Sequence, residues 1–308
     1  MRLRSATRLA APCALCAALA CSQSPYPEVE VDMSARPART ESRPERPSRP
    51  VLRFSVAAIQ SPQDTFAAYS RFFDRMGTLL GAEIRFLQRR TYAEVDDLLL
   101  TGQLDAALVC TGGYLDLLAR DPGAVEVLAV PVIGGRSTYH SLLIVPATSP
   151  ATAPADLAGK RFAFTDELSF SGHLYPSSLF RGLGLDPRHH FASTSFTRSH
   201  DRSIDAVARG LADGAAVDSL VYESLLARDP QLSSRVRVIH RSPAYGLMPV
   251  VAATRLPAET RARLRAVLLG LHRDPEAAAQ LRAVGIDRFG PPEPGLFDSA
   301  AAVVGQRR

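Results

Sequence analysis

Arg161-Phe162-Ala163-Phe164-Thr165 runs into Ser169-Phe170-Ser171-Gly172, and from there into the stretch between His173 and Leu183. The first five residues are rich in apolar and β-prone side chains and predict a strand. The Ser/Gly stretch predicts a turn, and the residues after it a helix. A buried strand that ends in small polar residues and opens a helix is the repeating unit of an open α/β sheet.

The same unit recurs outward in both directions. Towards the N-terminus, strands are predicted over 51–59, 83–88, 104–110 and 125–131. Helices are predicted from Ser61-Pro62 to Leu80, over 94–100, and over 114–120 after Thr111-Gly112-Gly113. Phe66, Tyr69, Phe72, Phe73, Met76 and Leu80 fall at helical spacing in the first of these. Towards the C-terminus, strands are predicted over 139–146, 193–197, 215–217 and 236–240, with helices over 203–210 and 220–227. Amphipathic helices over 258–271 and 275–284 close the chain. The pattern predicts two α/β lobes, each a mostly parallel sheet flanked by helices, joined by a hinge. Residues 51–138 form the first lobe, 139–245 the second, and 246–308 return to the first. The crossings fall near 134–142 and 240–250.

The chain has 308 residues, enough for two lobes with real cores, and 46% hydrophobic with 22% charged residues excludes a mostly disordered or collagen-like protein. Its net charge of +5 invites a nucleic-acid partner, but Arg2, Arg4 and Arg8 supply three of those charges ahead of an apolar run. The remaining arginines are dispersed, and Lys160 is the sole lysine, so no block tracks phosphates. No nucleic acid is expected.

Residues 1–21 read as an export signal: basic residues, then an apolar run from Leu9 to Ala20 too short to span a bilayer. Ala18-Leu19-Ala20-Cys21 resembles the lipobox of bacterial lipoproteins, which implies acylation of Cys21 and a membrane anchor; cleavage at an Ala-x-Ala-like site is the alternative. Cys13 and Cys16 leave with the signal, so only Cys110 remains in the body and no disulfide is expected there. Residues 22–50 hold six prolines, five arginines and five acids, and predict an extended tether.

In open α/β sheets, ligands bind beyond the carboxyl ends of the strands. Here those ends are Gln60-Ser61, Thr111-Gly112-Gly113, Ser169-Phe170-Ser171-Gly172 and Asp218-Ser219. Hydroxyls and free backbone N–H groups at helix starts suit an anion, although Ser and Thr are also ordinary caps.

Asp156-Leu157-Ala158-Gly159-Lys160-Arg161-Phe162-Ala163-Phe164, followed by Ser169-x-Ser171-Gly172 and Pro176, resembles the phosphate/phosphite/phosphonate family of periplasmic binding proteins. The similarity continues through Ser199-His200-Asp201, Ala206-Val207, Gly210 and Asp213-Gly214-Ala215-Ala216-Val217-Asp218. It also takes in Gly102-Gln103-Leu104-Asp105, Tyr114, Tyr139 and Ser141. These proteins are the solute receptors of ABC importers. The resemblance implies a type II two-lobed clamp with an oxyanion at the turn formed by Ser169, Phe170, Ser171 and Gly172. Tyr139 and His200 would complete the oxyanion shell, and Asp218 would line the opposite wall. Relatives usually carry threonine where this chain has Phe170, so one hydroxyl is exchanged for an apolar ring. The family implies a permease and an ATPase as partners; an orphan or sensory receptor of the same fold is the alternative.

Each residue also has a structural reading. His200 and Asp218 could cap the helices that follow them, Tyr139 could be core, and Cys110 a buried small hydrophobe. Tyr245 falls at the second crossing and could face the cleft, as could Ser61 and Thr111. Catalysis is not expected: Ser169 or Ser171, His200 and Asp218 make a triad on paper, but no Gly-x-Ser-x-Gly elbow accompanies them. His173, His189 and His190 lack metal-ligand spacing, and Arg161 after Gly159-Lys160 breaks a P-loop. No cofactor or metal is expected.

Overall fold

The first lobe begins with regular alternation: β1 (Val51–Val56), α1 (Pro62–Leu80), β2 (Glu83–Phe86), α2 (Tyr92–Leu100), β3 (Ala106–Leu108), α3 (Thr111–Arg120) and β4 (Val125–Val132). β5 (Thr138–Tyr139) then carries the chain into β6 (Ser141–Pro146), β7 (Arg161–Phe164), α4 (Tyr175–Gly182), α5 (Pro187–His190) and β8 (Ser193–Phe196). After α6 (His200–Ala208), β9 (Gly214–Asp218), α7 (Ser219–Arg228), α8 (Leu232–Arg235) and β10 (Val236–Arg241), the chain turns back through β11 (Tyr245–Gly246). It ends with β12 (Val250–Ala253), α9 (Ala258–Gly270), α10 (Pro275–Ala283), β13 (Arg288–Gly290) and α11 (Asp298–Gly305). The structure, a computed structural model, describes residues 49–59 and 62–305, with the side chains of 62–68 excepted. The export signal, Cys21, Ser61 and all but the last two residues of the tether lie outside the described residues.

One sheet has the order β13-β4-β12-β3-β1-β2 and the other β10-β6-β9-β7-β8, with β11-β5 as a separate two-stranded ribbon. β1, β2, β3 and β4 run one way, as the alternating pattern predicts, while β12 lies antiparallel between β3 and β4. β7, β8 and β9 are likewise parallel, with β6 inserted antiparallel between β9 and β10. Both inserted strands follow a crossing between the lobes, so the chain enters each sheet from the carboxyl ends of its parallel strands and must run against its neighbours.

Several helices start earlier than their sequence predicts, α2 and α7 by a residue or two and three others by a turn or nearly so. The segment after β7 winds from Phe170 in a wide turn, Phe170–Leu174, before α4; the Ser169 carbonyl accepts from both His173 and Leu174. α3 begins at Thr111 and α6 at His200. The glycines in α3 serve close packing: a Cβ on Gly112 would lie 2.0 Å from the Leu168 carbonyl of the opposite lobe, and one on Gly113 2.9 Å from an Asp96 carboxyl oxygen. Nor does the chain close with α10. β13 adds an edge strand beside β4, and α11 returns to pack on α3, α4 and β11.

Each lobe has its own apolar core, including Phe54, Phe72, Phe73 and Met76 in the first and Phe162, Phe164, Phe180 and Phe191 in the second. A third cluster bridges them. It contains Tyr92, Cys110, Tyr139, Phe170, Tyr175 and Tyr245, with Ala300 of α11 among them.

Candidate functional site

Thr165, at the end of β7, and Asp218, at the end of β9, stand beside each other because their strands are paired in parallel. His200, the first residue of α6, turns its imidazole inward between them. Its main-chain N–H donates across the cleft to the Ile59 carbonyl at 3.1 Å, and its ring is 2% exposed. Nδ1 accepts the Asp218 main-chain N–H at 3.0 Å, so the proton of the neutral ring sits on Nε2. Burial lowers the imidazole pKa to about 3, which keeps that ring neutral.

Nε2 faces Ser169 Oγ at 3.4 Å, and the same oxygen accepts the Gly172 N–H at 3.1 Å. With both acceptor positions engaged, the Ser169 proton is left to donate. Gly172 itself admits no side chain, because a Cβ would lie 2.4 Å from Thr165 Oγ1. Ser141 Oγ donates to the Ser171 carbonyl at 2.6 Å, holding the turn onto β6. Tyr139 presents its hydroxyl within bonding reach of the Ser171 and Thr111 side chains, and burial raises its pKa far above the phenol range, so it stays a donor. Thr111 Oγ1 donates to the Gly246 carbonyl at 2.9 Å.

Tyr92, at the start of α2, completes this group. Among the described residues its buried hydroxyl has no hydrogen-bond partner, and its electrostatic neighbours are Cys110, Asp166, Asp218 and Tyr139. Its main-chain N–H donates to Asp166 of the other lobe at 3.3 Å. Asp218 caps α7, accepting from Leu220 N–H at 2.7 Å and Val221 N–H at 3.4 Å, and burial raises its pKa to about 7. Among the described residues no cationic side chain belongs to the group. The Arg198 guanidinium pairs with Glu167 and stands 3.7 Å from Asp166. An anion here would be held by neutral donors and backbone dipoles.

The fold thus brings Thr111, Tyr139, Ser169, Ser171, Gly172, His200 and Asp218 together. Asp218 is also the helix cap that its structural reading anticipates. Phe170 and Tyr245 meet each other instead: their rings stand edge to face at 4.7 Å inside the bridging cluster. Cys110 is buried and donates to the Leu168 carbonyl at 3.8 Å, with its thiol pKa pushed up to about 12 by burial. Tyr92 and Thr165 are absent from the expected set. Thr165 directly follows β7, so the strand-end rule applied to that strand would have found it, whereas Tyr92 opens α2 well past the end of β2 and lies outside that rule. Among the described residues, no group of three or more His, Cys, Asp or Glu side chains is placed to hold a metal, and no helix is long and apolar enough to cross a membrane.

Two cavities flank this region. One, of about 690 Å³, lies between the lobes past Asp218. The other, of about 620 Å³, lies on the outer face of the second lobe beside His173, Ser177 and Arg181.

Residues 54–295 match the family described as ABC transporter, phosphonate, periplasmic substrate-binding protein, and the chain belongs to that family. It is 26% identical over 255 residues to the phosphate-import protein PhnD of Mycolicibacterium smegmatis, covering 79% of this chain and 75% of the relative. It is 24% identical over 242 residues to the phosphonates-binding periplasmic protein of Escherichia coli, covering 76% and 70%. Among solved structures, a binding protein component of an ABC phosphonate transporter from Pseudomonas aeruginosa superposes with a TM-score of 0.77 at 22% identity, covering 83% of this chain and 86% of the other. The PhnD1 protein of Prochlorococcus marinus in complex with methylphosphonate superposes with a TM-score of 0.75 at 20% identity, covering 83% and 98%.

Proposed function

We propose that this protein is an extracytoplasmic receptor that captures a small tetrahedral oxyanion (phosphonate before phosphite or phosphate) between its lobes and delivers it to an ABC permease and ATPase. One observation carries the reading most directly: among the described residues the Tyr92 hydroxyl is buried without a hydrogen-bond partner, beside Tyr139 and Asp218. A buried hydroxyl left unpaired costs about 1–3 kcal/mol, a cost that a bound acceptor removes. Family membership supports the importer partnership and an exported location. The ligand shell comprises Tyr139, Ser169, Ser171, Gly172, His200 and Asp218, with Thr111 and Tyr92 from the first lobe. The Phe170 main chain belongs to the turn, while its ring supports the hinge.

The finer assignments follow the sequence. Residues 51–138 and 246–308 make one lobe, and 139–245 the other. The lipid anchor rests on the Ala18-Leu19-Ala20-Cys21 boundary, and a Cys21→Ser form that still fractionates with membranes removes it.

Calorimetry against methylphosphonate, phosphite, phosphate, sulfate and a sulfonate tests the ligand class. Saturable binding of at least one phosphorus oxyanion is expected. Binding of none of them, with a neutral compound bound instead, removes the oxyanion assignment.

A further inference from the structure

Asp218 belongs to two surfaces at once. Its main-chain N–H fixes His200, and the residue also lines the cavity of about 690 Å³ between the lobes. Ile59 does the same, accepting the His200 N–H while lining that cavity. The oxyanion group and the cavity are therefore neighbours across a single residue's width. On its other sides the group is closed. Phe170 is 0% exposed and Tyr245 6%, and the Gly112 backbone is pressed against the Leu168 carbonyl. Of the two cavities, this is the one that shares residues with the group, so a substituent on the bound phosphorus would pass Asp218 to enter it.

The cavity walls are largely hydrocarbon. Ile133, Met248 and Ile286 come from the first lobe, and Leu220 and Val221 from the second. The charged lining residues Glu223, Arg228 and Arg282 are exposed and form the rim. The Asp218 Oδ1 that accepts two α7 N–H groups is engaged in capping. A volume of about 690 Å³ falls within the range of about 300–1,000 Å³ typical of sites for drug-sized ligands, far beyond what a methyl group fills.

Resting on the oxyanion reading above, we infer that the physiological ligand is a phosphonate with a hydrocarbon substituent of several carbons, its headgroup at Ser169 and His200 and its chain in the cavity past Asp218. Burial of each further methylene in such a cavity tightens binding, as transfer from water always does.

Calorimetry on the purified protein with methylphosphonate, n-hexylphosphonate and 2-aminoethylphosphonate is the test. Hexylphosphonate is expected to bind about tenfold tighter than methylphosphonate, or better. Ala283→Trp and Ser224→Trp, at exposed positions on opposite walls, should each weaken hexylphosphonate about tenfold and leave methylphosphonate within about twofold. The inference is overturned if hexylphosphonate binds no tighter than methylphosphonate, if both tryptophan variants bind it unchanged, or if 2-aminoethylphosphonate binds tightest. If none of the three phosphonates binds, the oxyanion reading itself falls and takes the inference with it.

Discussion

The main-chain N–H of Asp218 donates to Nδ1 of His200 at 3.0 Å, and this bond decides which imidazole nitrogen carries the proton. The ring is a fixed donor at Nε2, directed at Ser169. A protonated ring would lose that bond and place a charge where burial penalises it.

His200 should therefore stay neutral in the folded protein down to about pH 3. The unfolded histidine, with a pKa of about 6.5, binds a proton that the folded one refuses. The stability contributed by this residue is present above about pH 6.5 and is lost as the pH falls towards about 3. Nitrogen-15 chemical shifts of the ring should show the Nε2–H tautomer and no titration between about pH 5 and 8, the range where an ordinary histidine changes charge. A midpoint inside that range contradicts the buried donor.

Asp96 behaves oppositely. It is 1% exposed, its Oδ2 has no hydrogen-bond partner among the described residues, and burial followed by the Asp116 charge raises its pKa to about 8. From about pH 4 upward the unfolded carboxyl is ionised while the folded one stays protonated, so folding stability falls as the pH rises through about 8. Asp96→Asn should flatten part of that slope and stabilise the protein at pH 8, by on the order of 1 kcal/mol or more. Urea unfolding at pH 5 and pH 8 reads both effects, and equal slopes in variant and parent refute the assignment.

Gly112→Ala should separate folding from closure. Its new Cβ meets the Leu168 carbonyl at 2.0 Å across the seam between the lobes, not within one. The variant is expected to keep its secondary structure and melt cooperatively, yet bind the oxyanion at least about 100-fold more weakly, since a closed state raised by a few kcal/mol is paid in affinity. Small-angle scattering should show no compaction on adding ligand. Affinity like that of the parent would mean that the contact yields cheaply.

Ser169→Ala removes the hydroxyl that takes the Gly172 N–H and faces His200. Oxyanion affinity should fall by about 1–3 kcal/mol, the usual consequence of a lost buried partner. Calorimetry reads it; an unchanged dissociation constant places the anion elsewhere.

The local α/β grammar was legible where a strand, a cap and a helix follow one another in sequence, as at Arg161–Phe164 and Ser169. What was hidden depends on distant partners. Gly112 and Gly113 read as a loop because glycine marks turns, yet they lie inside α3 and make room for Leu168 and Asp96. β12 and β13 have only four and three residues, too few to show a period, and exist through pairing with β3 and β4. Phe170 read as a change in ligand chemistry, while the packing of its ring against Tyr245 could not be seen. Of the site, the serine turn and Asp218 were visible as strand-end residues, and His200 through the family resemblance. Tyr92 was not, because its hydroxyl matters only once Asp166, Asp218 and Tyr139 surround it.

Where the chain passes from one lobe to the other and back, the two passages are hydrogen-bonded to each other, Tyr139 opposite Tyr245 and Thr138 opposite Gly246. Two independent tethers would work as a loose joint, free to bend, slide and swivel. Stitched into a ribbon, they act like a door hinge: flexing across the ribbon keeps both pairs, whereas sliding one passage along the other shears them. A permease that docks both lobes then faces a partner with one principal degree of freedom, in which the presence of cargo is encoded as a single angle.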